Sequence, residues 1–332
     1  MNTFTAQPQT FETIQKRYAL HLRDCRDHII EDLRQSPGTA VLTGYFQEGK
    51  RIRALLTFAA ASAIGIEPRT IIPVASALEL LHGASLIHDD IVDEAVERRC
   101  LPALHVRLGI GPALVLGDYL ILRAFTILQE SRHVCGSEQM LAALHTLNSY
   151  AQLCCLGELH DLIPTGDGNP EDEYFTIVRG KTASQFAAAV TLPAIAGGGT
   201  PGEIEALRMY GINVGIAFQI QDDVLDIIGD SGVLGKPVGT GLIQKRLLLP
   251  LIYLEQYGSR TAHLEYRRIL QTDAGRLGQL AALLKAEGIW DRIKVTQNRY
   301  LSAGLQALEC IPPSDDRTTL SVLATYAVDH YS

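Results

Sequence analysis

The sequence predicts an all-α protein, a single large helical bundle around a central apolar cavity. Three observations carry that expectation. Apolar residues recur at helical spacing over most of the 332 residues. No segment alternates apolar and polar residues between turns, as a half-buried strand does. Two long apolar runs end in the same acidic pattern, Asp89-Asp90-Ile91-Val92-Asp93 and Asp222-Asp223-Val224-Leu225-Asp226. Two such helices lying side by side would line one cavity.

Composition narrows the function. Hydrophobic residues make up 47% of the chain, ample for a sizeable core over one domain, residues 1–332. The 29 basic against 37 acidic residues give a net charge of −8, so nucleic acid is not an expected partner. Cys25, Cys100, Cys135, Cys154, Cys155 and Cys310 follow no zinc or C-x-x-C spacing. They read as reduced thiols of a cytoplasmic protein. Residues 1–9 hold no apolar signal core. No uncharged apolar run reaches about 18 residues, so no membrane span is expected. The longest, residues 71–87, contains Glu79 and His82.

In chain order, residues 11–34 read as one amphipathic helix, closed by the turn Gln35-Ser36-Pro37-Gly38. Gly49-Lys50-Arg51-Ile52-Arg53 then leads into an Ala-rich helix. Lys50 and Arg53 share a face, and basic residues at a helix start oppose its dipole, which favours an anion there. After Glu67-Pro68-Arg69 comes the long run 71–96 that carries the first acid cluster. Asp89, Asp90 and Asp93 are three and four residues apart, so they lie about one turn from each other. Carboxylates so close repel unless something positive neutralises them. A hard divalent cation, its shell completed by substrate oxygens, is the natural partner. Arg98-Arg99 follow, and guanidinium pairs suit phosphate oxygens.

A helix from Pro112 to Gln129 and another over residues 137–160 come next. Residues 171–173 put acids at the start of a helix that carries Arg179-Gly180-Lys181-Thr182 in its middle. Gly and Thr there cost helical stability and permit a local break. Gly197–Gly202 is not a phosphate-cradling loop, because no strand precedes it and no Gly-Lys-Ser/Thr follows. The run 203–228 ends in the second acid cluster, and the loop 235–241 places Lys236 where it can reach an anion. Residues 247–332 read as further helices with no evident chemistry. One Asp-Asp-x-x-Asp is more often a solvated patch than a metal site; two with identical spacing and apolar approaches are not easily so explained.

At this point the chain resembles the trans-polyprenyl diphosphate synthases, from about Gly49 to Pro250. The resemblance rests on both Asp-rich motifs, Gly49-Lys50-Arg51-x-Arg53, His82, Arg98-Arg99, Gly117-Asp118-Tyr119, Lys181-Thr182, Phe218-Gln219 and Gly235-Lys236, all in the family's order. It implies the all-α isoprenoid synthase fold and a homodimer. It implies Mg²⁺, about three ions per site with Mn²⁺ as a substitute, held by Asp89, Asp90, Asp93, Asp222, Asp223 and Asp226. It implies that isopentenyl diphosphate meets Lys50, Arg53, His82 and Arg99. Arg98, Lys181 and Lys236 would neutralise the diphosphate that leaves the allylic partner, and Thr182 and Gln219 would shield the allylic cation. The chain departs from the pattern at Gly241, where Asp is usual, at Lys245-Arg246, where Gly-Lys is usual, and at Cys100, where Gly is usual.

Helix geometry adds an expectation about product length. Ser85 and Ala84 precede Asp89 by about one turn, with Leu81 and Ala77 roughly one turn further each. A turn rises about 5.4 Å, close to one extended isoprene unit. Small residues at the first turn leave the path open, so a C20 or longer product is expected, C25–C50 over C20, and Ala84→Phe should shorten it. Two other readings stay open: a type I terpene synthase that cyclises or quenches its cation, and a non-catalytic subunit that pairs with an active synthase.

Overall fold

The computed structural model describes residues 9–47, 49–98, 101–133, 135–163, 168–230, 238–271 and 275–329. Sixteen α-helices lie within them. The first run is two helices, α1 (Phe11–Arg17) and α2 (Ala19–Gln35), rather than one. Tyr18 breaks it by turning a buried ring into the core, where its hydroxyl donates to Ser62 Oγ at 3.1 Å. Helices α3 (Ile52–Ala63) and α4 (Ile72–Val92) follow, and α4 ends at Asp93.

A hairpin that the sequence did not announce comes next. Strands β1 (Glu97–Arg98) and β2 (Leu101–Pro102) pair antiparallel, Glu97 opposite Pro102. Two residues per strand are too few to show alternation. Then come α5 (Leu104–Leu108), α6 (Ile110–Leu128) and α7 (Ser137–Leu162). Helix α8 (Pro170–Val178) is capped by Asn169 and runs through a π-helical turn, Arg179–Ala183, into α9 (Ser184–Ala196). The anticipated break at Gly180 is thus a widened turn rather than an interruption. Gly180 is needed there: a Cβ would stand 2.8 Å from the Gly157 Cα, where α7 crosses.

Helix α10 (Pro201–Ile228) begins with a Thr200–Glu203 capping box and Pro201 in its first turn. The rest is α11 (Thr240–Ile243), α12 (Leu249–Tyr257), α13 (Arg260–Leu270), α14 (Arg276–Ala286), α15 (Ile289–Ala307) and α16 (Asp315–Asp329). Two apolar clusters hold the bundle together. One joins α1–α4, α6, α9 and α16 through Phe58, Leu80, Leu120, Phe186 and Tyr210. The other joins α8 and α12–α15 through Tyr174, Leu249, Leu254 and Ile289. Helix α10 belongs to both, with Val214 in the first and Ile220 in the second. The buried Tyr210 ties it to α16 by donating to the Leu320 carbonyl at 2.7 Å.

The main partner of α4 is α6, and those of α10 are α9 and α15. The two acid helices therefore face each other across a cavity instead of lying side by side. Residues 68–92 and 110–132 are each long and apolar enough to cross a membrane. The first stretch is mostly core and carries the buried Glu79 and Asp90. The second leaves Ile110, Val115 and Leu122 more than 60% exposed.

Candidate active site

A cavity of about 550 Å³ opens between α4, α7, the π turn and α10. Asp89 and Asp93 line it from α4, Asp222, Asp223 and Asp226 from α10. Lys181 and Thr182 line it from the π turn, and Arg98, Gln219 and Arg246 complete its polar wall.

The first cluster is held by charged side chains. Asp90 is 1% exposed and faces the wall, where it accepts from Arg98 Nε at 2.8 Å. Its other oxygen is buried without a partner among the described residues. Asp93 pairs with Arg246. Asp89 faces the cavity, and burial pushes its carboxyl up to about 6, against the pull of Lys181.

The second cluster is held by neutral donors. Asp223 accepts from Gln219 Nε2 at 3.0 Å and from the Leu249 amide at 3.2 Å. Burial outweighs those bonds and pushes its carboxyl up to about 7. Asp226 accepts from the Thr240 amide at 3.1 Å and the Gly241 amide at 3.0 Å. Gly241 itself lines the cavity, so the position where an acid was expected instead presents a backbone N–H. Thr182 donates to Gln219 Oε1 at 2.7 Å, which turns the Gln219 amide nitrogen toward Asp223.

Two acids missed in the sequence complete the network. Glu158 and Asp161 sit one helical turn apart on α7. Lys181 pairs with Glu158 and donates to Asp161 at 3.2 Å. Burial would lower the Lys181 ammonium, but Asp89, Glu158 and Asp161 together hold it above its ordinary value. Arg246 also reaches Asp161 at 3.2 Å, so one guanidinium bridges α4 and α7. The i, i+3 acids beside Gly157 were the available signal, weak because neither has the adjacent second acid that marks the two Asp-rich clusters.

A second cavity of about 370 Å³ adjoins the first, lined by Lys50, Arg51, Arg53, Glu79 and His82. Arg53, His82 and Leu86 line both cavities, so the two adjoin. Of the residues expected to steer chain length, Ser85 lines the larger cavity, while Ala84 and Ala77 are buried in the core and Leu81 packs against it. Arg99 and Lys236 lie outside the described residues.

The model of the Polyprenyl synthetase family matches residues 38–286. The chain belongs to that family. It is a prenyltransferase. A geranylgeranyl diphosphate synthase of Methanosarcina mazei is 33% identical over 288 residues, 84% of this chain and 85% of that one. An octaprenyl diphosphate synthase of Escherichia coli is 31% identical over 284 residues, 84% of this chain and 85% of that one. Among solved structures, the polyprenyl synthase of Caulobacter crescentus, complexed with calcium and isoprenyl diphosphate, superposes with a TM-score of 0.87 at 28% identity. That match covers 98% of this chain and all of the other. The fold is thus the all-α fold of the isoprenyl diphosphate synthases.

The donor set fits a divalent cation. Seven carboxylates line one cavity, five of them from the two Asp-rich clusters, and desolvation disfavours the ionisation of Asp89 there, which a bound cation would reverse. Among the described residues no three His, Cys, Asp or Glu side chains converge tightly enough to hold an ion on protein atoms alone. Such an ion needs oxygens from a ligand, as a diphosphate would supply.

Proposed function

We propose that this synthase condenses isopentenyl diphosphate with an allylic prenyl diphosphate to give an all-trans polyprenyl diphosphate of C20 or longer, C25–C50 being favoured. One observation carries this reading. The acid-lined cavity and the basic cavity lie side by side and share Arg53, His82 and Leu86 in their walls. A reaction that joins two diphosphates needs two such sites in contact; a terpene synthase that uses one substrate needs only the first.

Asp89, Asp93 and Asp222 would hold Mg²⁺, with Asp90 joining once Arg98 exchanges and Asp223 and Asp226 supporting the site from their fixed amide partners. The metal supplies charge neutralisation to the departing diphosphate. Lys181 and Arg246 add fixed positive charge on the same side of the cavity. The allylic C–O bond breaks with its electron pair leaving on the diphosphate. The isopentenyl double bond then forms the new C–C bond, and the proton lost to restore the alkene goes to the diphosphate released. The Thr182 hydroxyl and the Gln219 carbonyl oxygen face the cation with negative ends of dipoles. Phe218 and Leu86 line the cavity and exclude water, so the cation is not quenched.

Product length rests on Ser85, the small residue one turn before Asp89 that reaches the cavity. The relatives do not decide it, since geranylgeranyl and octaprenyl synthases are about equally similar. A homodimer is supported by the apolar face of α6 and α7, where Ile110, Val115, Leu122 and Leu141 are exposed. Glu138, His145 and Asn148 border the groove beside Leu141, a rim that suits a protein partner. The five described cysteines are all free, which fits a cytoplasmic setting.

The test is incubation with Mg²⁺, labelled isopentenyl diphosphate and, separately, C10, C15 and C20 allylic diphosphates, with products read by mass. Elongated diphosphates are expected. A hydrocarbon or alcohol without isopentenyl incorporation would move the protein to the terpene synthases. No turnover at all would make it a partner-dependent subunit. Ser85→Phe should shorten the product.

A further inference from the structure

The basic cavity contains one group that its proposed ligand should repel. Glu79 lines it together with Lys50, Arg51, Arg53 and His82. A carboxylate facing a diphosphate site opposes binding, so its presence needs a physical reason.

Three contacts supply it. Glu79 Oε2 stands 3.5 Å from Arg51 Nη1, and both side chains are less than 10% exposed. Glu79 Oε1 accepts the Ala54 amide at 3.1 Å, one of the first-turn N–H groups that α3 leaves unpaired. The N-cap residue of α3 is Arg51 itself, which offers no side-chain cap and sits in the left-handed region at φ 46. Arg51 also donates to the Phe46 carbonyl. An arginine does not adopt that backbone unless its surroundings fix it. Glu79 thus caps α3 from α4 and anchors the side chain of the residue at which the chain turns. Lys50 and Arg53 flank that residue, and His82 follows Glu79 by about one turn on the same face.

We infer that Glu79 is a positioning residue for isopentenyl diphosphate: it fixes Arg51 and the first turn of α3 so that Lys50, Arg53 and His82 converge on one diphosphate. This rests on the proposed condensation. The carboxylate makes its ion pair with Arg51, the residue at which the chain turns, while Lys50, Arg53 and His82 line the same cavity. Arg53 is set up for the ligand, since its Nε is buried without a hydrogen-bond partner among the described residues. Two substrates with separate sites make the prediction specific, because only one of them should respond.

The test uses the full chain and measures KM for each substrate, kcat and Tm. Glu79→Gln keeps an oxygen for the Ala54 amide and loses the charge that holds Arg51. The expected result is an isopentenyl KM raised about tenfold or more, with allylic KM and kcat within about twofold. A second variant separates positioning from folding. Replacing both partners, Glu79→Leu with Arg51→Met, removes the ion pair without leaving a lone buried charge, so the fold should hold. Its Tm should fall by only a few degrees, the cost of the lost cap at the Ala54 amide, while the isopentenyl KM remains raised. An unchanged isopentenyl KM in either variant overturns the inference, as does a parallel rise in both KM values. Calorimetric titration of the wild type with isopentenyl diphosphate alone distinguishes the two levels. If the wild type neither binds nor incorporates it, the condensation itself fails and this inference with it.

Discussion

The two acid clusters share a spacing and differ in company. Asp90 and Asp93 are held by guanidinium groups, those of Arg98 and Arg246. Asp223 and Asp226 are held by the amides of Leu249, Thr240 and Gly241 and by Gln219. Charged side chains on long stems can exchange one anion for another. Backbone amides cannot leave. On the proposed reading identical motifs would divide the labour: the first cluster would release its acids to a cation as a diphosphate takes their guanidinium partners, while the second would stay a fixed frame.

The largest effects should come from the acids that face the cavity in each cluster. Asp89→Asn and Asp222→Asn should each lower kcat/KM by about 10³-fold, since each removes charge that the transition state needs. A difference above about tenfold between them would show that one cluster dominates. Arg246→Met should be milder and one-sided. It frees Asp93 but removes a cation from the diphosphate, so allylic KM should rise about tenfold, with the isopentenyl KM unmoved. Steady-state kinetics with each substrate varied in turn checks both.

The acids also set a pH dependence in the metal-free protein. Asp89 and Asp223 have carboxyls raised to about 6 and about 7 in the fold, from an ordinary 3.8. The folded state therefore holds protons that the unfolded chain has released, and stability falls as pH rises from about 4 to about 7. Tm measured across that range should drop by several degrees, and Mg²⁺ with a diphosphate should flatten the profile. A metal-free Tm that climbs over the same range would contradict the burial of these acids. The smallest effect should come from Gly241→Ala. Its Cβ would stand 3.0 Å from Asp226 Oδ2 and from a Leu248 methyl. A loss of about 1 kcal/mol is expected by denaturant titration, the cost of mild overpacking.

Much of this site was legible in the sequence because its parts follow helical spacing. Asp89 with Asp93 and Asp222 with Asp226 each lie about one turn apart, and the cost of Gly180 in mid-helix pointed to the π turn; Gln219 and the roles of Lys181 and Thr182 came through the family resemblance alone. What the sequence hid depends on contacts across the fold. Arg246 meets Asp93 over 153 positions of chain. Glu79 read as a mere interruption of an apolar run, because its partner Arg51 comes from another helix start. Ala84 shares a turn with Ser85, yet the rotation of α4 sends one into the core and the other to the cavity. The split at Tyr18 follows from a buried hydroxyl, which no local propensity records.

The most direct measurement of the difference between the clusters is a structure of the protein with Mg²⁺ and a non-hydrolysable allylic diphosphate. The account predicts that Arg246 leaves Asp93 for the diphosphate, while Asp223 keeps its bonds to Gln219 and the Leu249 amide and Asp226 keeps those to Thr240 and Gly241. An intact Arg246–Asp93 pair beside a bound diphosphate, or a second cluster that rearranges while the first stays still, would contradict it.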